Sequence, residues 1–241
     1  MKTQPLLPSL SGILYPADEI ELKEILGFAE NMGEIEKVDH LPLVAWIPSA
    51  SYEYILSILQ KTMRVVSVLK PKRIVIISGL HRPPIESDTR DSLFFPATDT
   101  IVSNAGIIPI DRDAIEMLRD SNELRTKCID IYFKEEYAFE LISPFIAYYY
   151  QHVPVIPMLI ETKHASYSIA KEAIEIVCNT CRDTLYIIAA NLNTDPKIQN
   201  DIEHPFGSLF SDFPFFPWQI IESRRAPVAD VWYAGAIRKL S

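Results

Sequence analysis

His81 sits in the run Ser78-Gly79-Leu80-His81-Arg82, directly behind the apolar stretch Ile74–Ile77. Two other polar clusters follow apolar stretches in the same way: Pro48-Ser49-Ala50-Ser51 after Val44–Ile47, and Asn191-Leu192-Asn193-Thr194 after Leu185–Ala190. An imidazole titrates near neutrality and serves as a general base or a metal ligand. A serine hydroxyl is a nucleophile once a base activates it, and an amide can orient that base. Ser49, His81 and Asn191 therefore admit a serine hydrolase reading. Against it, Ser49 lacks a Gly-x-Ser-x-Gly elbow and has no oxyanion-hole glycines around it. Non-haem iron asks for two imidazoles and a carboxylate on one face. The three clusters offer one histidine and no Asp, Glu or Cys, so no metal ligand set and no catalytic set is assigned.

Other reactive side chains are scattered. Cys178-Asn179-Thr180-Cys181 has redox-pair spacing and could form half a zinc site, but no second pair exists to complete four ligands. It falls late in a helical stretch, away from the helix starts that stabilise thiolates, so structural thiols are expected. Glu136 and Glu140 lie four apart and share a helical face, which usually means a solvated face. His40, His152, His164 and His204 fall in connections or beside strand and helix ends and read as surface or capping residues.

The elements that must position these groups alternate. Asp18 to Met32 has apolar residues at helical spacing, with Asp18 and Glu19 in its first turn. A strand over Leu41–Ile47, a helix from Tyr52 to Leu69 and a strand over Arg73–Ile77 form a β-α-β unit, whose strands should be parallel. His81 to Ala105 reads as a long loop. Gly106–Ile110 is a short extended piece, and Asp111 an N-cap for the following helix. A helix over Lys134–Tyr150 is expected to kink at Pro144. A strand over Val153–Ile160, a helix over His164–Cys181 and a strand over Leu185–Ala190 continue the alternation, which predicts a layered parallel or mixed sheet. Ligands of such sheets bind at the carboxyl ends of the strands. The aromatic and proline-rich stretch from Pro205 to Trp218 reads as a strap burying its rings on its own domain, or as a partner-binding surface. Val228–Ile237 is the last strand.

At 241 residues, with 48% hydrophobic and 23% charged residues, the chain is expected to form a single packed α/β domain over 1–241. A net charge of -9 opposes binding to nucleic acid or to an anionic membrane, both of which need clustered cations. No apolar segment reaches membrane-spanning length, and the N-terminus has no signal-peptide pattern, so the cytoplasm is the expected location.

The order of landmarks resembles the Memo family, also called AmmeMemoRadiSam system protein B. Ser11-Gly12-Ile13-Leu14-Tyr15-Pro16 is similar to the family's Ser/Ala-Gly-x-Trp-Tyr-Pro opening, Gly106–Ile115 to its strand-into-helix segment, and Val231–Ile237 to its closing strand. The resemblance implies a three-layer α/β/α fold with a mostly parallel or mixed central sheet, related to the class III extradiol dioxygenases, which hold non-haem iron at a histidine-rich rim.

The departures concentrate at that rim. Family Pro-His-Ala-Gly-Tyr stands here as Pro48-Ser49-Ala50-Ser51-Tyr52, and Gly-Pro-Ser-His-His as Ser78-Gly79-Leu80-His81-Arg82. Glu-His-Ser-Leu-Glu becomes Glu136-Tyr137-Ala138-Phe139-Glu140, and Ser-Ser-Asp-Leu-Ser-His becomes Ala189-Ala190-Asn191-Leu192-Asn193-Thr194. The family's late Cys-Gly segment has no counterpart. The resemblance thus implies a pocket lined by Ser49, His81, Arg82, Glu136, Tyr137, Asn191 and Thr194, with Glu136 near enough to pair with Arg82. The resulting expectation is a domain without cofactor or metal that binds an unknown small molecule or protein. The alternatives are an active metal-dependent oxidoreductase that recruits His204 or Glu203, and the Ser49 hydrolase.

Overall fold

A computed structural model of the chain describes residues 4–28, 38, 40–81, 92–121, 124–161, 164–199, 201–202, 204–214 and 216–240. Its strands are β1 (Leu43–Ile47), β2 (Arg73–Leu80), β3 (Leu93–Phe95), β4 (Thr100–Ser103), β5 (Gly106–Pro109), β6 (Thr126–Cys128), β7 (Val155–Glu161), β8 (Thr184–Ala189), β9 (Gln219–Arg225) and β10 (Trp232–Lys239). Eight of them form one sheet in the order β6-β3-β7-β2-β8-β1-β10-β9, and β4 and β5 form a separate pair. The central strands β7, β2, β8 and β1 are parallel, whereas β3 meets β7, and β10 meets β1, in antiparallel fashion. Every residue of β1, β7 and β8 is buried, as a sheet covered on both faces requires. Helices cover both faces of this mostly parallel sheet, which makes the three-layer α/β/α arrangement that was expected.

Helices α1 (Glu19–Phe28), α2 (Tyr52–Val66) and α5 (Tyr137–Tyr149) pack together in one layer. Side chains bond across it: Gln60 Nε2 donates to the Ile25 carbonyl, Tyr149 Oη to that of Leu26 and Tyr52 Oη to that of Leu141. α2 buries Tyr52, Ile55, Leu59, Met63 and Val66, the expected stripe. It lies so close to β10 that a Cβ on Gly235 would stand 2.1 Å from Thr62 Oγ1 and 2.8 Å from Ile58 Cγ2. Helices α3 (Arg112–Asp120) and α6 (His164–Thr180) pack on each other. Asp111 caps α3 as anticipated, its Oδ1 accepting from the Ala114 N–H at 3.0 Å. The continuation of α1 to Met32 falls outside the described residues.

β1 and β2 are parallel, as expected, with β8 between them. Two expectations need correction, and one strand was not anticipated. The expected loop from His81 to Ala105 contains β3 and β4; Leu93, Phe94 and Phe95 are fully buried, in a run too short to show a period. The expected helix over Lys134–Tyr150 is two helices, α4 (Asp130–Glu135) and α5, and the break is at Glu136, not at Pro144, which lies inside α5. The aromatic stretch is followed by the unanticipated edge strand β9. Phe206, Phe210 and Trp218 are buried on the chain itself, as a strap would be, while Phe216 is exposed; Phe215 lies outside the described residues.

Candidate functional site

The carboxyl ends of β1, β2 and β8 bring Ser49, His81 and Asn191 to one rim, each one or two residues past the end of its strand. Asn191 is fixed by the backbone it faces. Its Oδ1 accepts from the Ser49 N–H and its Nδ2 donates to the Ser49 carbonyl, both at 2.9 Å. The Trp46 indole N–H, donating to the Ala190 carbonyl at 2.9 Å, ties the two strand ends together.

Glu136 arrives from the opposite direction. Its extended backbone (φ -94, ψ 104) closes α4 and opens α5, so its side chain serves as the N-cap of α5 and accepts from the Ala138 N–H. This break turns the carboxylate toward β2, where His81 Nδ1 lies 3.0 and 2.9 Å from its two oxygens. Glu136 is buried, at 3% exposure, whereas the His81 side chain keeps 52%. The hydrogen bond to Glu136 raises the His81 pKa above its ordinary value, opposed by burial and aided by the carboxylate's charge. The expected partner of Glu136 was Arg82; the observed one is His81, and Arg82 lies outside the described residues.

Tyr137, the first residue of α5, closes the group. Its phenolic oxygen is 3.3 Å from His81 Nε2, and the two rings stack with centroids 4.9 Å apart. Burial, and next the Glu136 charge, push the Tyr137 pKa up. The Ser49 side chain is buried, and its hydroxyl completes no hydrogen bond among the described residues. Thr194 is exposed in the turn beyond Asn191.

The wiring differs from a nucleophile–base–amide relay. The imidazole is held by Glu136 and Tyr137, and the amide by the backbone of Ser49. It also differs from an iron centre. Among the described residues no three His, Cys, Asp or Glu side chains converge to hold a metal ion. His204, a suggested substitute ligand, caps the 3-10 turn over Pro205–Phe210 by accepting the Phe206 N–H on Nδ1. Its ring meets Trp46 edge-on, and burial lowers its pKa to about 4. Glu203 lies outside the described residues. The donor set among the described residues therefore does not fit non-haem iron.

Two residues of the rim were missed in the sequence. Glu161 ends β7, beside Leu80 of β2, and is buried at 4% exposure. β7 is a fourth parallel strand, and the strand-end rule applied to its tail would have found this carboxylate. Tyr233 of β10 lies close enough to raise the Tyr137 pKa slightly; nothing in its sequence context points to the rim.

Glu140, one turn after Glu136, is not on a solvated face. Its carboxylate accepts from the Ser9 N–H and hydroxyl, the Leu10 N–H at 2.6 Å and the Tyr15 hydroxyl at 3.0 Å, fixing the N-terminal segment on α5. The three cysteines are free thiols; burial raises the pKa of Cys178, which sits late in α6. No helix among the described residues is long and apolar enough to cross a membrane.

No curated protein matches the chain. A family model described as Memo-like protein matches residues 7–207, a stretch that runs from the N-terminal segment held by Glu140 through Ser49, His81, Glu136, Tyr137, Glu161, Asn191 and Thr194 and stops short of β9 and β10, and so of Tyr233. The chain belongs to the Memo-like protein family.

Proposed function

We propose that this Memo-like domain has lost metal-dependent catalysis and that its rim serves as a binding site for a small molecule or a protein segment. The observation that carries this reading is the fate of the one rim imidazole. His81 gives Nδ1 to a buried carboxylate and turns Nε2 toward a phenol. A metal-ligating histidine commonly gives one nitrogen to a carboxylate, but its other nitrogen then faces the ion. Here Tyr137 stands in that direction, at the position where the resemblance places an imidazole. Ser49 and Asn191 likewise replace an imidazole and a carboxylate with neutral groups. What remains is a polar patch of hydroxyls, an amide and a half-exposed imidazole, which suits hydrogen bonding to a ligand.

Elemental analysis after dialysis against Fe(II) and against Zn(II) tests the reading. The expected result is well below one metal ion per chain, unchanged in His81→Ala. Near-stoichiometric metal that is lost on that substitution overturns it and restores the oxidoreductase.

A further inference from the structure

A second concave surface lies on the helical layer, outside the hydrogen-bonded rim group. It is a cleft of about 660 Å³ between the turn at residues 12–17, α1 and the start of α2. Its floor includes Leu14, Ile25 and Leu56, and Glu21 and Glu53 stand exposed among its lining residues. No Lys or Arg lines it. Lys23, the nearest cation along α1, is paired with Glu19 at 2.5 Å. The cleft therefore joins an apolar floor to two carboxylates that no neighbouring cation neutralises among the described residues.

The turn that presents Ile13 is held firmly. Gly12 adopts φ +80, a conformation disfavoured for L side chains, and its N–H donates to the Tyr15 carbonyl at 2.8 Å. Ile13 and Leu14 both donate to the Leu10 carbonyl. Glu140 fixes Ser9, Leu10 and Tyr15 from below. This bonding presents an isoleucine that is 71% exposed; Ile20, one residue before Glu21, is 70% exposed. The exposed Ile13 gives the cleft an open apolar margin, which suits a protein segment better than an enclosed small ligand. The free carboxylates select the charge of that segment.

We propose that this cleft docks a peptide segment that carries apolar side chains flanked by Lys or Arg. The apolar side chains cover Ile13, Leu14, Ile25 and Leu56, and the cations pair with Glu21 and Glu53. Its lining includes none of Ser49, His81, Glu136, Tyr137 and Asn191, although it does include Ser51, just beyond Ser49 in the chain, so peptide binding here does not depend on how the rim functions.

Fluorescence anisotropy with the full chain tests it, using the fluorescein-labelled peptide Lys-Leu-Lys-Phe-Lys-Leu and its counterpart with Glu at every Lys. The basic peptide should bind and the acidic one should not. The double substitution Glu21→Lys with Glu53→Lys should weaken binding by about tenfold or more, and so should Ile13→Ser. All three positions are exposed, so the variants should keep the wild-type circular dichroism spectrum. Ile198→Ser, which removes another exposed isoleucine outside the cleft, should bind like wild type. Failure of the basic peptide to bind, equal binding of both peptides, or affinity indifferent to Glu21, Glu53 and Ile13 overturns the proposal. So does sedimentation showing that a second copy of the chain occupies this face and leaves it on Ile13→Ser.

Discussion

Glu136 and Glu140 stand one helical turn apart on α5 and do opposite things with the same functional group. Glu140 is saturated by donors that belong to the chain itself: two backbone N–H groups, a serine hydroxyl and a phenol. Glu136 is more deeply buried, yet its main partner is a half-exposed, titratable imidazole. A carboxylate wrapped in backbone donors is a structural clamp, because those donors have no other charge state to visit. A carboxylate that meets an imidazole at a sheet rim has a partner that gains or loses a proton near neutrality. The difference separates the fixed part of this helix from the part whose partner titrates.

The strongest way to break that contrast is Glu140→Leu. It strands the Ser9 and Leu10 N–H groups and the Tyr15 hydroxyl, and hydrogen bonds to a charged group are among the stronger ones. Part of this network reaches solvent, so the expected cost is about 2–4 kcal/mol, read as a lower urea midpoint at an unchanged slope. Limited proteolysis should then cut within residues 6–17. A loss below about 0.5 kcal/mol would show that the N-terminal segment is held by packing instead and that the clamp is incidental.

Glu136→Gln should cost less. Glutamine still offers an oxygen to the Ala138 N–H and to His81 Nδ1–H, but the charge that favours the imidazolium is gone. With His81 half in water, the expected loss is about 1 kcal/mol. The His81 pKa, followed through its ring resonances, should fall toward its ordinary value. A pKa that stays raised in Glu136→Gln would mean that another group, such as Glu161, holds the proton.

Much of this frame was legible in the sequence because its signals are local. Ile74–Ile77 and Leu185–Ala190 are continuous apolar runs, and Asp111 precedes its helix at capping distance. The gathering of Ser49, His81 and Asn191 followed from the rule that parallel strands deliver their tails to one rim. What escaped depends on tertiary context. Glu135-Glu136-Tyr137 contains no glycine or proline to announce a break, and the break exists because Glu136 is drawn to His81 and caps α5. Gln219–Arg225 shows no clean alternation, since β9 is an edge strand of mixed exposure. Glu140 looked solvated because its donors lie some 130 residues earlier in the chain.

The smallest effect is the most specific, and it concerns pH. His81 has a raised folded-state pKa, so the folded protein binds its proton more tightly than the unfolded chain does. The stabilisation is fully present below the unfolded value of about 6.5 and is lost as pH rises through the folded value. His204 works in the opposite sense: its folded pKa of about 4 gives stability that is present above about 6.5 and is lost as pH falls toward 4. The raw pH profile therefore mixes the two. Subtracting the Glu136→Gln profile from that of the wild type, between about pH 6 and 9, cancels His204 and leaves the His81 pair. The difference should be largest at the acid end and shrink by several tenths of a kcal/mol, on the order of a half-exposed ion pair, toward the alkaline end. A flat difference would mean that Glu136 acts only as the cap of α5, and both carboxylates of the helix would then be structural clamps.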